Sequence, residues 1–143
     1  LYIDATSTYP ATTQASNTLL SMNLAVTTGW TPVWTADGNV YFSFVKQTKP
    51  EAILRITFEH DSTATTEIAA WRAGTARSIG VEFSGSSDAK YAKFRMAGKW
   101  DNFEKIGERD GNDVVTGNFR ARYNSTAAAF FTTIIGNSNA SLT

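Results

Sequence analysis

The sequence predicts a mainly β fold, a β-sandwich or rolled barrel with one flanking α-helix at about residues 62–74, carried by a single domain spanning 1–143. Apolar residues recur at every second position through most of the chain, the signature of strands with one buried face. Only one stretch switches to helical spacing. Charged residues make up just 18% of a chain whose polarity comes largely from Thr, Ser and Asn, and β-branched and aromatic residues are prominent, which favours sheet.

The elements follow in order. LYIDAT (1–6) alternates weakly and reads as a strand, and YPATTQASNT (9–18) is a polar, nearly uncharged loop or arm. LLSMNLAVTT (19–28) places Leu20, Met22, Leu24 and Val26 at period two. In GWTPVWTADGN (29–39), Pro32 and the Asp37-Gly38 pair interrupt regular pairing, and Asp-Gly ahead of an aromatic run signals a hairpin. The return strand VYFSFVKQT (40–48) carries Val40, Phe42 and Phe44 on one face. After Pro50, EAILRITFEH (51–60) points Ala52, Leu54, Ile56 and Phe58 inward.

Residues 61–74 then bring Ala64, Ile68 and Trp71 onto one helical stripe, with Asp61 or Ser62 as N-cap, Glu67 in the N-terminal half and Gly74 as the C-terminal glycine. Strands resume at 76–86 (Ile79, Val81, Phe83 on one face), 90–106 (Ala92, Phe94, Met96 inward; Tyr91, Lys93, Arg95 outward), 113–124 and 127–136. The tail NSNASLT is polar and expected to fray. No tandem repeat or linker divides these residues.

Thirteen basic residues balance thirteen acidic ones, so no global field draws the chain to nucleic acid or to an anionic membrane. The absence of cysteine excludes disulfides and thiolate metal sites within the chain, without fixing a compartment. No apolar run approaches the length of a helical membrane span. The chain begins at Leu1 rather than methionine, and its start does not read as a signal peptide, so a segment missing upstream stays open.

The most chemically suggestive stretch is GERDGNDVVTGNFRARYN (107–124). Its carboxylates Glu108, Asp110 and Asp113 do not fall in the register of a calcium loop, and no distal glutamate follows. Asp110-Gly111 and Asn112-Asp113 suit a tight hairpin turn instead, because these residue types tolerate positive φ. Beyond the turn, Asn118, Arg120 and Arg122 share one strand face; with Lys93, Arg95 and Lys99 they make either a cationic strip for phosphate or solvated positions paired with Glu82, Glu104 or Glu108.

Catalytic devices find little support. His60 is the only histidine, no Gly-x-Ser-x-Gly elbow is present, and Asp61 is better used as a cap. A pair drawn from Glu51, Glu59, Glu82 and Glu104 has no spacing that argues for glycoside hydrolysis, and no glycine-rich run precedes a helix. The expectation is therefore no catalytic residue, no metal and no cofactor. Of the tryptophans, Trp71 reads as core, whereas Trp30, Trp34 and Trp100 are candidates for exposed platforms that meet a sugar or a protein partner. Asn124-Ser125-Thr126 and Asn139-Ala140-Ser141 match the glycosylation sequon, which carries weight only in a eukaryotic secretory setting.

Read in order, GWTPVWTADGNVYFSF, ILRITFEHDSTATTEIAAWRAGTARSI and GKWDNFEKIGERDGNDVVTGNFRARYNSTAAAFF resemble the major tail tube proteins of long-tailed (siphovirus-type) bacteriophages, over roughly residues 20–136. The likeness rests on the shape of these segments, chiefly TFEHD leading into AAWRAGTAR and DGNDVVTGNFRARYN, not on a chemical motif.

The resemblance implies a non-enzymatic virion component, made in the bacterial host cytoplasm. Copies of the chain would join into hexameric or pseudo-hexameric rings, and the rings would stack into a hollow tube that meets other phage tail proteins. Genomic DNA would pass through without specific binding, and no membrane would be involved. Under that implication Trp30, Pro32, Trp34 and Asp37 form an inter-subunit or inter-ring loop, and Arg95, Arg120 and Arg122 are strand-face contacts. Two features depart from the family: its lumens are usually acidic whereas this chain is neutral, and its members can be longer at the N-terminus. The competing expectation is a β-sandwich carbohydrate-binding or adhesion module using Trp30, Trp34 and Trp100.

Overall fold

The computed structural model describes residues 1–36, 38, 40–85 and 89–137. Its elements run β1 (Tyr2–Ala5), β2 (Leu19–Thr27), β3 (Trp30–Val33), β4 (Phe44–Gln47), β5 (Glu51–Glu59), α1 (Ser62–Arg72), β6 (Arg77–Ser84), β7 (Tyr91–Phe103), β8 (Gly107–Arg109), β9 (Asn112–Ala121) and β10 (Phe131–Gly136). The fold is mainly β with one helix, as the alternation predicts. All strand pairs are antiparallel.

β7 organises the sandwich. Along residues 91–98 it pairs with β6, and β1 follows outside β6. On its opposite edge β10 pairs with residues 91–96, and β9 takes over from 98 to 103. β5 and then β2 continue outward from β9. One long strand thus belongs to both halves of the sheet, and the inner faces of the two halves meet in one core. Leu54, Ile56 and Phe58 of β5, Val115 and Phe119 of β9, Ile79 and Val81 of β6, and Met96 and Trp100 of β7 form it, with Ile3 and Ala64. Each fully buried large side chain among these stabilises the fold by about 1.5–3 kcal/mol.

The core is aromatic at its centre. Trp100 lies 4.7 Å from Phe103, 5.2 Å from Phe119 and 5.7 Å from Phe58, centroid to centroid. Gly117 of β9 leaves the room these rings occupy: a Cβ there would sit 2.6 Å from Phe103 Cε1 and 2.9 Å from Trp100 Cζ3. The buried Trp100 ring, held between Phe58, Phe103 and Phe119, does not yield as a flexible side chain would. Gly117→Ala is therefore expected to cost about 1–3 kcal/mol of stability, read as a lowered urea midpoint at unchanged slope.

The helix is delimited at both ends by its own chemistry. The Asp61 carboxylate accepts from the Ala64 amide at 2.9 Å, a side-chain N-cap. At the other end Gly74 takes φ +64, its amide donating to Trp71 O and the Thr75 amide to Ala70 O. That bonding pair is a Schellman motif, and it satisfies two carbonyls that would otherwise lack donors. Ala64, Ile68 and Trp71 face the sheet as the spacing predicts, but the side chain buried most deeply beside Ala64 is Glu67.

Several expectations change in detail. In β2 the register shifts between Leu19 and Ser21, so Leu19 joins Met22 and Leu24 against the core while Leu20 turns outward; a bulge inverts the alternation on one side of itself. The return strand expected over 40–48 is only Phe44–Gln47, and Val40, Phe42 and Phe44, expected on one face, are all exposed. Pro32 does not interrupt pairing but lies within β3 opposite Val45, tolerable because among the described residues the ribbon has no further strand to accept its missing N–H. The last predicted strand shortens from 127–136 to β10, with turn structure in its first residues.

Candidate assembly surface

β3 and β4 pair with each other and, among the described residues, with no strand of the main sheet. They form a two-stranded ribbon rooted where Thr48 donates both its amide and its hydroxyl to Gly29 O. Two-stranded ribbons in water are marginal because neither face is covered. This ribbon's strands and the connection between them are apolar: Trp34 is 62% exposed and Val40 85%, with Trp30, Tyr41, Phe42, Phe44 and Val45 also exposed. Among the described residues, Trp34 and Phe42 meet edge-on at 6.4 Å. So many exposed apolar side chains close together in sequence make this segment a candidate interaction surface. Trp30 and Pro32 lie in β3 and Trp34 directly follows it, whereas Asp37 lies outside the described residues.

A second open feature is the sheet edge. β1 is covered on its outer side by the chain's own residues 13–15, through Ile3 N–H to Thr13 O and Ala15 N–H to Leu1 O. β2, at the other end of the strand order, has no such cover among the described residues, and LLSMNLAVT contains no charge or proline to discourage pairing.

The covering segment is held by Asp4, which accepts from the amides of Thr12 at 2.6 Å and Thr13 at 2.9 Å. Partial removal from water pushes the Asp4 carboxyl up, but the bonds from Thr13 and Thr12 outweigh it and hold the group below the ordinary aspartate range. A depressed native pKa contributes stability that is complete above the unfolded value and fades as pH falls through the native one. The stability difference between the wild type and Asp4→Asn is thus expected to be present at neutral pH and to vanish as pH drops below about 4, as measured by urea titrations across pH.

The arginines divide between pairing and freedom. Arg95 is half-buried and pairs with Glu82 at 3.5 Å, alongside Lys93 at 3.2 Å. Arg120 is held by Glu51 and by Asp101, and Arg55 meets Glu104 at 2.7 Å. Of the cationic strip, only Lys99 and Arg122 lack a carboxylate partner among the described residues. Arg120 lies on the outward face of β9, Arg122 follows just past the end of that strand, and Lys99 stands opposite Arg120 on β7.

The same pairs account for Glu51, Glu82 and Glu104, which face cations rather than one another. Among the described residues no group of His, Asp and Glu is arranged to hold a metal ion, and no helix is long and apolar enough to cross a membrane. His60 is half-buried, and its amide donates to Asp113 O at 2.8 Å. Asp110 and Gly111 take φ of 55 and 84 between Arg109 and Asn112, which are paired across β8 and β9. That is the two-residue hairpin turn the sequence calls for.

Trp100 is corrected outright: it is 5% exposed, and its indole N–H donates to Glu67 Oε2 at 2.9 Å, so it offers no platform. Alternation carried on from Phe94 and Met96 through Gly98 would have placed it inward. Trp71 is half-buried against the core. The first sequon's Asn124 is engaged internally, its Oδ1 accepting from the amides of Thr126 and Ala127; the second lies outside the described residues. Comparison with models of known protein families and with curated proteins returns no match to this chain.

Proposed function

We propose that this chain is a building block and not a catalyst: a tail tube subunit of a long-tailed bacteriophage. Its copies join into rings, hexameric or pseudo-hexameric, that stack into a hollow tube through which the genome passes. The observation that carries this reading is the apolar β3–β4 hairpin, unpaired with the main sheet among the described residues, which in a lone chain leaves Trp30, Trp34, Tyr41, Phe42 and Phe44 in water. An exposed surface of this kind finds its stable state by burial against a partner. The uncharged, uncovered edge of β2 supports it further, since such an edge is a template for pairing with another chain.

The outward face of β5 and β9 is consistent with DNA sliding past rather than binding. Its charges are cancelled in place, Arg120 by Glu51 and Asp101, and Arg55 by Glu104, so few counterions would be released on contact with phosphate. In this reading the virion tail is the protein's location and other tail proteins are its end partners.

Negative-stain electron microscopy of the concentrated protein tests the proposal. Rings or hollow tubes of uniform diameter are expected; monomers persisting at every concentration would sink it. The second reading, a carbohydrate-binding module, retains Trp30 and Trp34 as exposed indoles but has lost Trp100 to the core. A shift of the monomer in glycan affinity gels would favour it.

A further inference from the structure

The strand β9 joins two surfaces of opposite charge. At its start the β8–β9 turn exposes Glu108, Asp110 and Asp113 against a single guanidinium, Arg109, which lies 3.8 Å from Asp110. Glu108 and Asp113 stand directly opposite each other across the two strands, with no cation paired to either among the described residues. Like charges in that position repel, so the hairpin holds an arrangement that is unfavourable in the isolated chain.

Just beyond the far end of β9, a cavity of about 470 Å³ opens between the Thr6–Ser7 segment and residues 123–126, floored by Ala97 and Gly98 of β7. No carboxylate lines it, and its two cations are Lys99 and Arg122, the members of the strip left unpaired. Three carboxylates and one guanidinium give the turn a net −2; a lysine and an arginine give the cavity +2. β9 spans Asn112–Ala121, so the two surfaces lie about 30 Å apart at opposite ends of one rigid strand. They cannot satisfy each other within one chain.

We propose that the acidic β8–β9 turn of one copy docks in the Lys99–Arg122 cavity of the next. The occupant is a second copy of this chain, because the chain itself presents the complementary charge in matching amount. The two surfaces differ, so the contact is heterologous: it repeats head to tail and gives the assembly a polarity. Electrostatic complementarity of this sort fixes partner orientation and speeds encounter more than it adds raw affinity, and like-charge juxtaposition rejects wrong registers. The inference rests on the reading that the chain assembles with itself; it specifies one contact of that assembly and is separate from the apolar ribbon.

The test is charge exchange on the full chain, read by light scattering after size exclusion and by electron microscopy. One variant reverses the turn (Glu108→Lys with Asp113→Lys), a second reverses the cavity (Lys99→Glu with Arg122→Glu), and a third carries all these changes. The turn residues and Arg122 are exposed and Lys99 lines an open cavity, and circular dichroism verifies that each variant folds. Wild-type assembly is expected to weaken as salt rises from about 0.05 M to about 0.5 M.

Each single-surface reversal is expected to weaken assembly about a hundredfold or more. An equimolar mixture of the two, and the fully exchanged chain alone, are expected to regain it. If the single-surface variants assemble like the wild type, this contact is wrong while the tube reading stands. If they fail and neither the mixture nor the exchanged chain recovers, the pairing of these two surfaces is wrong. A wild type that stays monomeric overturns both.

Discussion

Trp34→Ser combined with Phe42→Ser is expected to abolish assembly while leaving the unfolding midpoint of the monomer almost unchanged. The separation of the two effects follows from where the residues sit. Both lie beyond the paired strands of the ribbon, edge-on to each other at 6.4 Å, and neither belongs to the core cluster built on β5, β7 and β9. Exposed substitutions away from the core usually change stability by less than about 0.5 kcal/mol. Buried aromatic anchors at protein contacts, by contrast, cost about 2 kcal/mol or more each when truncated. Losing both would weaken association by about a thousandfold, enough to move a micromolar assembly out of reach.

Sedimentation of the variant beside the wild type, with a urea titration of each, reads both quantities. A variant that assembles normally would remove the ribbon from the interface. One that unfolds earlier would show that the ribbon supports the body, contrary to its lack of strand partners there.

How far the sequence foretells this structure depends on which interactions decide each element. β5 and α1 are legible because local pattern and tertiary demand agree: Ala52, Leu54, Ile56 and Phe58 alternate and are buried, and Asp61 and Gly74 cap the helix by short-range bonds. The Asp110-Gly111 turn is legible for the same reason. The ribbon is not, because the alternation of Val40, Phe42 and Phe44 is what a core strand shows, and nothing local says that these side chains stay exposed in the folded chain. The bulge at Leu20 inverts an otherwise regular pattern and is set by pairing with β5, a long-range event. The separation of Arg122 and Lys99 from the paired Arg95 and Arg120 depends on which carboxylates come near in space, which no spacing along the chain encodes.

The least legible feature of the interior has the largest consequence for stability. Glu67 is 1% exposed on the inner side of α1, where its oxygens accept from Arg77 Nε at 3.0 Å, from Arg77 Nη2 and from Trp100 Nε1 at 2.9 Å. An ionised carboxylate in the interior is tolerable only with its charge and its lone pairs answered together. Here one guanidinium from β6 and one indole from β7 do both, so the residue ties the helix to the strands it covers.

Glu67→Ala strands Arg77 without its counter-charge and the Trp100 N–H without an acceptor, and Arg77→Ala strands the carboxylate itself. Each is expected to cost about 3–5 kcal/mol, a large share of the roughly 5–15 kcal/mol by which a domain is stable. The double variant Glu67→Ala with Arg77→Ala leaves neither charge unpaired and should lose far less than the sum of the single changes. Urea unfolding of the single variants and the double variant gives the coupling directly. Additive losses would show that the pair contributes no mutual stabilisation, and the burial of Glu67 would then have to be explained by packing alone.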